Sequence, residues 1–442
     1  MPLFLDLFIE ELRRNKETIR NLVDPFNLAS EIYSDALARH WNPINVEGKV
    51  NGNVVAIDSS GRPIELRNGA IVYVARAMAL SNTGFKHRKL TVKAFFSPTS
   101  SNDFNTFMVR VMEHLEHLVA LDVIREYEPS LIMLDGSLYG RAVHMPKDTN
   151  IQAHNSFMVD YIHTYYELLE EAKRRNILLI GVSKDSSLRK LRELLLIESL
   201  SSVLNLYNLT KEYKEILINK LCSLLTGARE PRYNLREIKG ILREIGLQGL
   251  EKYYAEAITA GPDCHLLSWF VREEGFTDPF LLGMPVKEVE VLRRPREYIS
   301  RSFIKSLNEA EEPELLYLKI MEALDKVLRY PAIMTFYYIP HRRDIPIRVD
   351  APAYMFGIMT RISEVTSSFF IDSYDNDTLI TILQLLKGLY AGAKKYNVLL
   401  SEVDSLVKMS NRDVVNVYEP LIAKELGVLI EHTRDLRRVI YP

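Results

Sequence analysis

The sequence is poor in cysteine and contains no long apolar run. Its 442 residues include only two cysteines, Cys222 and Cys264, which are far apart and follow no metal-binding spacing. A disulfide framework and a zinc ribbon are therefore not expected, and the reducing cytoplasm is the expected compartment. No segment reaches the ~18 uninterrupted apolar residues that a membrane span requires. The N-terminal stretch carries an acid among its apolar residues and its basic residues afterwards, which predicts an amphipathic helix rather than a secretory signal.

The sequence also lacks an excess of charge of either sign. Lysine and arginine number 56, aspartate and glutamate number 58, and the net charge is −2. A globally basic nucleic-acid binder is thereby excluded, and any contact with DNA must come from a local patch or a partner. Only three glutamines occur, and few thermolabile amides beside many charges are typical of a thermophile protein.

The hydrophobic pattern predicts an α/β fold. With 47% hydrophobic and 26% charged residues, the chain is long enough for two or three domains with a sizeable core. Three β-branched runs joined by short turns predict an antiparallel meander, and two more apolar strands follow, each after an amphipathic helix. The predicted elements are strands over 54–60, 68–80 and 90–96 with a turn at 61–63, a helix over 101–126, a strand over 130–137, a helix over 155–175 and a strand over 176–184. This order predicts a ribonuclease H-like mixed sheet flanked by helices.

The rest of the sequence predicts a large helical insertion and a return to the sheet. From about 187 to 260 the pattern is almost wholly helical, whereas strands are predicted at 331–339 and 345–350. We expect four segments: an N-terminal helical region (1–50), the first part of the core (51–190), the helical insertion (191–330) and a C-terminal part that completes the core (331–442).

Two acids at strand ends form the strongest candidate site. Asp58 ends the apolar run VVAI and Asp135 ends the run LIML, and small residues follow each of them. If the two strands are neighbours, the carboxylates come close together, and such like charges resist joint ionisation unless a cation lies between them. Oxygen ligands favour Mg²⁺ or Mn²⁺ over zinc. Either aspartate could instead begin a turn or cap a helix, and the pattern alone leaves both interpretations open.

The helix between these aspartates supplies a third acid. Glu113 and Glu116 are three residues apart, and one of them should border the buried face of the helix. A solvated position is the ordinary alternative for either glutamate, and the local pattern does not choose between them. His114 and His117 flank Glu116, but no Cys or third His stands at ligand spacing, so they are interpreted as bystanders rather than a zinc site.

Three segments resemble those of a known family. AIDSSG, MEHLEHLVAL followed by LIMLDGSL, and LIGVSKDS are similar to segments of NurA, the archaeal DNA-end-processing nuclease, and occur in the family's order. The resemblance covers 54–190 well and the region from 330 onward loosely, whereas 187–330 is essentially unmatched. It places the family's metal-binding acids on Asp58, Glu116 and Asp135.

The resemblance also suggests a fourth position near the C-terminus. The family carries a Tyr and, eight residues later, a His, and the segment YNVLLSEVD aligns Tyr396 and Asp404 with them. This segment departs from the pattern because the prolines are missing and Asp replaces His, although a carboxylate can still bind Mg²⁺ or Mn²⁺. A competing alignment on VYEPLIAKE (417–425) keeps one proline but loses both the Tyr and the His.

Positive charges supply candidate phosphate contacts. Lys184 closes the strand LLIGVS, and because the family has a Lys in a similar segment we expect it to bind DNA; an exposed lysine at a strand end is the alternative. Most basic runs are solvated surface, although some supply phosphate contacts. The basic clusters are 87–89, 173–175, 293–296 and 341–343.

The function that the resemblance implies is metal-dependent hydrolysis of DNA. It implies 5′–3′ exonuclease and single-strand endonuclease activity with Mn²⁺ or Mg²⁺, acting on DNA ends in double-strand-break repair. It also implies a homodimer and a complex with HerA, a hexameric ATPase that pumps DNA. The chief alternative is a catalytically degenerate relative that binds DNA and such an ATPase, which the missing His and the large insertion favour. An integrase- or resolvase-like enzyme on the same core is a second alternative.

Overall fold

The secondary structure alternates between helical segments and a long mixed sheet. The structure is a computed structural model that describes residues 4–23, 26–66, 68–96, 100–225, 231–259, 261–342 and 344–427. Its strands are β1 (Trp41–Pro43), β2 (Val54–Glu65), β3 (Ala70–Ser81), β4 (Lys86–Phe96), β5 (Leu131–Asp135), β6 (Leu178–Ser183), β7 (Gly275–Thr277), β8 (Phe280–Leu282), β9 (Ile333–Ile339), β10 (Ile347–Pro352) and β11 (Phe369–Phe370). Its helices are α1 (Leu5–Arg14), α2 (Lys16–Val23), α3 (Phe26–Arg39), α4 (Ser101–Glu126), α5 (Leu138–Ala142), α6 (Phe157–Arg174), α7 (Lys190–Asn205), α8 (Lys211–Leu225), α9 (Pro231–Glu244), α10 (Glu251–Thr259), α11 (Asp263–Phe270), α12 (Val286–Leu292), α13 (Pro295–Ser302), α14 (Ile304–Glu309), α15 (Pro313–Arg329), α16 (Asn376–Gly388), α17 (Val398–Val407), α18 (Asn411–Asp413) and α19 (Glu419–Leu426).

The chain forms two compact units. The first unit consists of Met1–Pro43, Asp185–Asp278 and Arg342–Pro346. The second unit consists of Ile44–Lys184, Pro279–His341 and Ile347–Pro442. No helix within the described ranges combines the length and hydropathy needed to cross a membrane.

The region expected to be one helical insertion, 191–330, is not uniform in the structure. Its part up to Asp278 belongs to the first unit, and the part from Pro279 belongs to the second. It also contains two strands, β7 and β8, that were not expected. The apolar residues of β8 pair antiparallel with β9, which explains their extended conformation. We expected a domain boundary at residue 330, whereas the two compact units divide this region between Asp278 and Pro279.

The first unit is mainly helical and contains a buried ion pair between Arg192 and Glu256. Helix α7 packs against α3 and α8, and β1 pairs antiparallel with β7. Arg192 on α7 is 3% exposed, and its Nε lies 3.2 Å from Glu256 Oε1. The Arg192 guanidinium also lies 5.3 Å from the ring centre of Tyr33 and 5.5 Å from that of Trp269. This pairing and stacking offset the cost of burying the charge.

The second unit is built on a mixed sheet with the strand order β9-β10-β6-β5-β2-β3-β4. Strands β2, β5 and β6 are parallel to one another, and the remaining neighbours in this order are antiparallel. The predicted succession of elements is present as β2, β3, β4, α4, β5, α6 and β6, with α5 as an additional short helix. The expected α/β class with a mixed sheet and flanking helices is confirmed.

The turn expected at 61–63 is wrong, because β2 continues through it to Glu65. Gly61 pairs with Ala75, and Pro63 pairs with Tyr73 on β3. Proline is tolerated here because the pairing of β2 with β5 ends at Ile57, so beyond that point one side of β2 has no ladder bond to lose. The glycine is required by close packing, since a Cβ on Gly61 would lie 2.1 Å from the Tyr73 hydroxyl.

Helices cover both faces of this sheet. Tyr73 on β3 donates to the Met108 carbonyl of α4 at 3.1 Å, and Arg76, on the opposite face of the same strand, donates to the Val407 carbonyl of α17 at 2.7 Å. Alternate residues of a strand point to opposite faces, so α4 and α17 lie on opposite sides of β2 and β3. The Ser100 side chain caps α4 by accepting a hydrogen bond from the Asp103 N–H, which satisfies a donor at the start of the helix.

Candidate active site

Asp58 and Asp135 occupy matching positions on neighbouring parallel strands. Residues 54–57 of β2 pair in register with residues 131–134 of β5, so the next residues along, Asp58 and Asp135, stand side by side. Neighbouring strands are ~4.8 Å apart, and residues in register on parallel strands point to the same face. Strand β5 ends at Asp135, which places this pair where β2 loses its parallel neighbour.

The face that carries this pair is the one covered by α17. Ser60 shares the face of Asp58, and its Oγ accepts a hydrogen bond from the Met409 N–H at 3.0 Å, just beyond α17. Asp404 lies on α17, and its negative charge raises the pKa of both strand-end aspartates. The structure thus brings Asp404 into the same electrostatic cluster as Asp58 and Asp135.

Glu116 approaches from the opposite face of β2. Ser59, whose side chain alternates with that of Asp58, donates its hydroxyl to Glu116 Oε1. Glu116 Oε2 accepts from Arg141 Nη2 at 2.5 Å, and Glu116 is only 4% exposed. Among the neighbouring charges, that of Glu116 raises the pKa of Asp58 the most.

Burial and neighbouring negative charges raise the pKa values of Asp58, Asp135 and Glu116. Burial, together with the negative charges of Glu116 and Asp135, raises the pKa of Asp58 to about 8. Burial also raises the pKa of Asp135, although Lys184, whose Nζ lies 3.6 Å from Asp135 Oδ2, opposes the increase. Burial raises the pKa of Glu116 against the opposing charge of Arg141. Joint ionisation of such a cluster is unfavourable, and a bound cation relieves it.

The donor chemistry of the cluster fits a hard divalent cation. Its acids are Asp58, Glu116, Asp135 and Asp404. Carboxylate oxygens are the ligands that Mg²⁺ and Mn²⁺ prefer. As placed, no group of three or more His, Cys, Asp or Glu side chains in the described ranges is arranged to hold a metal ion. Lys184 Nζ lies 3.6 Å from Asp135 Oδ2, so joint coordination requires that contact to be released.

The turn after β5 is held by a second buried acid. Gly136 adopts a φ of +105°, a conformation that favours glycine, and Ser137 Oγ then donates to Asp350 Oδ2 at 2.7 Å. Arg348 donates to the same carboxylate from two nitrogens, at 2.6 and 2.8 Å. Burial acts to raise the pKa of Asp350, but the Arg348 charge and these hydrogen bonds outweigh it and lower the pKa. This ion pair anchors the turn that follows Asp135.

Glu113, the other glutamate of the sequence motif, lies in a different network. It accepts from Arg110 at 2.9 Å and from the Tyr161 hydroxyl at 2.8 Å, and His144 Nε2 lies 3.3 Å from it. Burial acts to raise the pKa of Glu113, but the neighbouring His144 and the charge of Arg141 outweigh it, so the pKa is lowered. Glu113 is thus compensated by hydrogen bonds and positive charge that Asp58 lacks.

The two histidines beside Glu116 pack inside the helical layer. His114 bonds to the Thr164 hydroxyl at 3.0 Å, and burial lowers its pKa to about 4. His117 is fully buried and stacks on the Tyr165 ring at 4.8 Å between ring centres. Burial lowers the pKa of His117 well below its ordinary value, so both rings are neutral packing groups at neutral pH.

Lys184 and Tyr396 border the carboxylates on the α17 face. Lys184 Nζ lies 5.6 Å from the centre of the Tyr396 ring and contacts Asp135. The competing segment 417–425 is placed elsewhere, because Tyr418 and Ile422 pack against an apolar cluster formed by Ile64, Val72, Val74, Met409 and Val414. The geometry therefore supports Tyr396 and Asp404 as the candidates.

Two of the basic clusters are paired with acids of the chain. His87 and Lys89 both contact Asp122 on α4. Arg174 donates to Glu171 at 2.6 Å. Arg343, in the cluster at 341–343, lies outside the described residues.

The sequence reasoning missed Arg141, Ser59, Arg348 and Asp350. Asp350 ends the strand predicted over 345–350, as Asp58 and Asp135 end apolar runs, so that signal was available, although β10 continues to Pro352. Arg141 and Ser59 show no periodic or spacing signal, because their roles depend on contacts with a helix distant in sequence.

Comparisons with known proteins identify one family. The family model described as the NurA domain matches residues 52–409. The probable DNA double-strand break repair nuclease NurA of Methanocaldococcus jannaschii is 25% identical over 217 residues, which are 48% of this chain and 54% of that protein. The match thus spans about half the length of that curated relative.

Solved structures show a similar fold. The crystal structure of the NurA nuclease from Sulfolobus solfataricus has a TM-score of 0.55 at 16% identity, covering 95% of this chain and 97% of that one. A crystal structure of NurA bound to dAMP and manganese covers 98% of both chains at 14% identity, but its TM-score of 0.42 is too low to bear on this chain. The family match extends over most of the chain, including every residue of the carboxylate cluster, and the chain belongs to the NurA family.

Proposed function

We propose that this protein is a divalent-metal-dependent DNA nuclease that processes DNA ends in double-strand-break repair. The observation that carries the proposal is the side-by-side placement of Asp58 and Asp135, with Glu116 and Asp404 close enough to raise the pKa of Asp58. Perturbed acids clustered in this way are typical of functional sites. Membership of the NurA family supports the same conclusion.

The strand order supports a ribonuclease H-like core. Within the second unit, β4-β3-β2-β5-β6 combines an antiparallel meander with two strands parallel to β2. This arrangement brings the ends of the two central strands, and therefore their acids, together at one edge.

The acids and their neighbours have separate roles in the proposed reaction. Asp58, Glu116, Asp135 and Asp404 would hold Mn²⁺ or Mg²⁺. The cation supplies positive charge that stabilises phosphoryl transfer and activates water. Lys184 binds a DNA phosphate once it is released from Asp135, and Tyr396 orients the lysine through its ring. The Arg348–Asp350 pair keeps the turn after Asp135 in place.

The detailed activity that we propose is the one that the family resemblance implies. We propose 5′–3′ exonuclease and single-strand endonuclease activity, in a cytoplasmic homodimer that works with a HerA-type hexameric ATPase. The net charge of −2 supports a division of labour in which the motor holds most of the DNA.

The test is degradation of end-labelled single- and double-stranded DNA with Mn²⁺, with Mg²⁺ and with a chelator. We expect cleavage by the wild type that needs the metal, and none by Asp58→Ala. Asp122→Ala is the matched control, because Asp122 pairs with His87 and Lys89 away from the cluster; it should keep the activity. Absence of metal-dependent cleavage by the wild type, with and without the ATPase, would contradict the proposal and favour a DNA-binding subunit.

A further inference from the structure

Arg141 lies buried between the acid of α4 and the end of β5. It is 3% exposed, and its Nη2 donates to Glu116 Oε2 at 2.5 Å and to the Asp135 carbonyl oxygen at 3.1 Å. One nitrogen thus links the carboxylate on the α4 face to the backbone of the residue that carries the second strand-end acid. Within the described part of the chain, no other hydrogen bond joins Glu116 to β5.

This burial is costly for a purely structural group. Nε and Nη1 of Arg141 are buried and have no hydrogen-bond partner among the described residues. A buried charge costs several kcal/mol after relaxation, and each unsatisfied donor costs ~1–3 kcal/mol. Apolar side chains of similar volume often replace a buried ion pair without loss of stability. A charged arginine with two unused donors is therefore better explained by what it does to Glu116.

The contacts of Glu116 show what that effect is. Arg141 holds Oε2, and the Ser59 hydroxyl holds Oε1, so both oxygens are fixed and the carboxylate has one orientation. Ser59 is the chain neighbour of Asp58, so this orientation holds Glu116 on the α4 side of β2 at the level of Asp58. The charge of Arg141 also lowers the pKa of Glu113, but the carboxylate to which Arg141 donates a hydrogen bond is that of Glu116.

We propose that Arg141 is a positioning residue for the nuclease site: it orients Glu116 through Oε2 and compensates its charge in the absence of metal. The inference rests on the proposed function. Arg141 acts through Glu116 and contacts neither DNA nor the reacting phosphate. Loss of such a supporting partner typically reduces metal affinity or activity by ~10–100-fold.

The test compares two substitutions of Arg141 with a matched control. Arg141→Gln removes the charge, and Arg141→Lys keeps it with fewer donors. Arg192→Gln removes a buried arginine that pairs with Glu256 in the first unit, so it reports the cost of losing a buried ion pair elsewhere. Mn²⁺ affinity is measured by calorimetry without DNA, and kcat and KM are measured for cleavage of labelled DNA.

Arg141→Gln should weaken Mn²⁺ binding and lower kcat by ~10–100-fold while KM for DNA changes by less than ~3-fold. Arg141→Lys should recover part of both losses, and Arg192→Gln should leave Mn²⁺ affinity unchanged. An unchanged Mn²⁺ affinity in Arg141→Gln, or an equal loss in Arg192→Gln, overturns the inference.

A double substitution tests whether Arg141 acts through Glu116. If Arg141→Gln does not fold, Arg141→Lys is combined with Glu116→Gln, and the lysine substitution should have no additional effect on Mn²⁺ binding in that background. Additive losses would refute a role exerted through Glu116. A wild type that binds Mn²⁺ but does not cleave DNA contradicts the proposed function, while the calorimetric comparison still decides the role of Arg141.

Discussion

Replacing Asp58 with asparagine is expected to stabilise the metal-free protein while it abolishes metal-dependent cleavage. The substitution keeps the volume and the Oδ1 atom that accepts from the Ser59 N–H at 2.7 Å. It removes an ionisable group whose charged form is disfavoured in the folded protein by burial and by Glu116, Asp135 and Asp404. An active-site acid is thus expected to lower stability in return for metal binding.

The magnitude follows from the pKa of Asp58. Its ordinary value of 3.8 rises to about 8 in the folded protein. At about pH 7 the folded carboxyl holds a proton that the unfolded chain releases, and a difference of ~3 units at ~1.4 kcal/mol each is ~4 kcal/mol. Neighbouring groups relax, so we expect the free energy of unfolding to rise by about half of this, ~2 kcal/mol. The gain should vanish near the ordinary pKa, where both states are protonated.

The assay is urea denaturation in a chelator, with Asp350→Asn as the matched control. Asp350 is also a buried aspartate of the sheet, but Arg348 and Ser137 stabilise its charge. Breaking that buried pair should cost ~3–5 kcal/mol, the opposite sign from Asp58→Asn. If Asp58→Asn destabilises the metal-free protein by ~1 kcal/mol or more, the electrostatic reasoning is refuted.

Other outcomes follow from the same geometry. The stability that Asp58 contributes is present below its ordinary pKa and lost as pH rises through about 8, so metal-free wild type should weaken over that range, and melting temperatures of Asp58→Asn should show a flatter profile. Glu113→Gln should lower the free energy of unfolding by ~3 kcal/mol through its lost ion pair while Mn²⁺ affinity by calorimetry stays unchanged; a parallel loss of affinity would assign Glu113 to the metal. Asp404→His should keep Mn²⁺-dependent cleavage, whereas Asp404→Ala should weaken Mn²⁺ binding by ~10-fold; equal effects would remove Asp404 from the site. Lys184→Met should weaken DNA binding uniformly across sequences and reduce the salt slope in fluorescence anisotropy by ~1; an unchanged slope would exclude a phosphate contact.

The elements around the site illustrate which features are predictable from sequence. The helix over 101–126 was predicted with the boundaries that it has, because its apolar spacing and capping serine are local signals. The turn at 61–63 was wrong because glycine and proline usually mark turns, and only the pairing with β3 keeps Gly61 and Pro63 extended. Strands as short as β7 and β8 carry too few residues for a periodic signal, and their conformation depends on partners elsewhere in the chain.

The sequence by itself determined the order of the elements, the strand-end acids and, through the family resemblance, the set of residues worth locating. Hydrophobic periodicity and the acid that ends an apolar run are properties of neighbouring residues, so no fold is needed to see them. The tertiary structure decided the register that sets Asp58 beside Asp135, the face shared with Asp404, the separate hydrogen-bond networks of Glu116 and Glu113, and the burial of Arg141. Those features depend on strand pairing and on packing between segments distant in sequence, which local patterns do not encode.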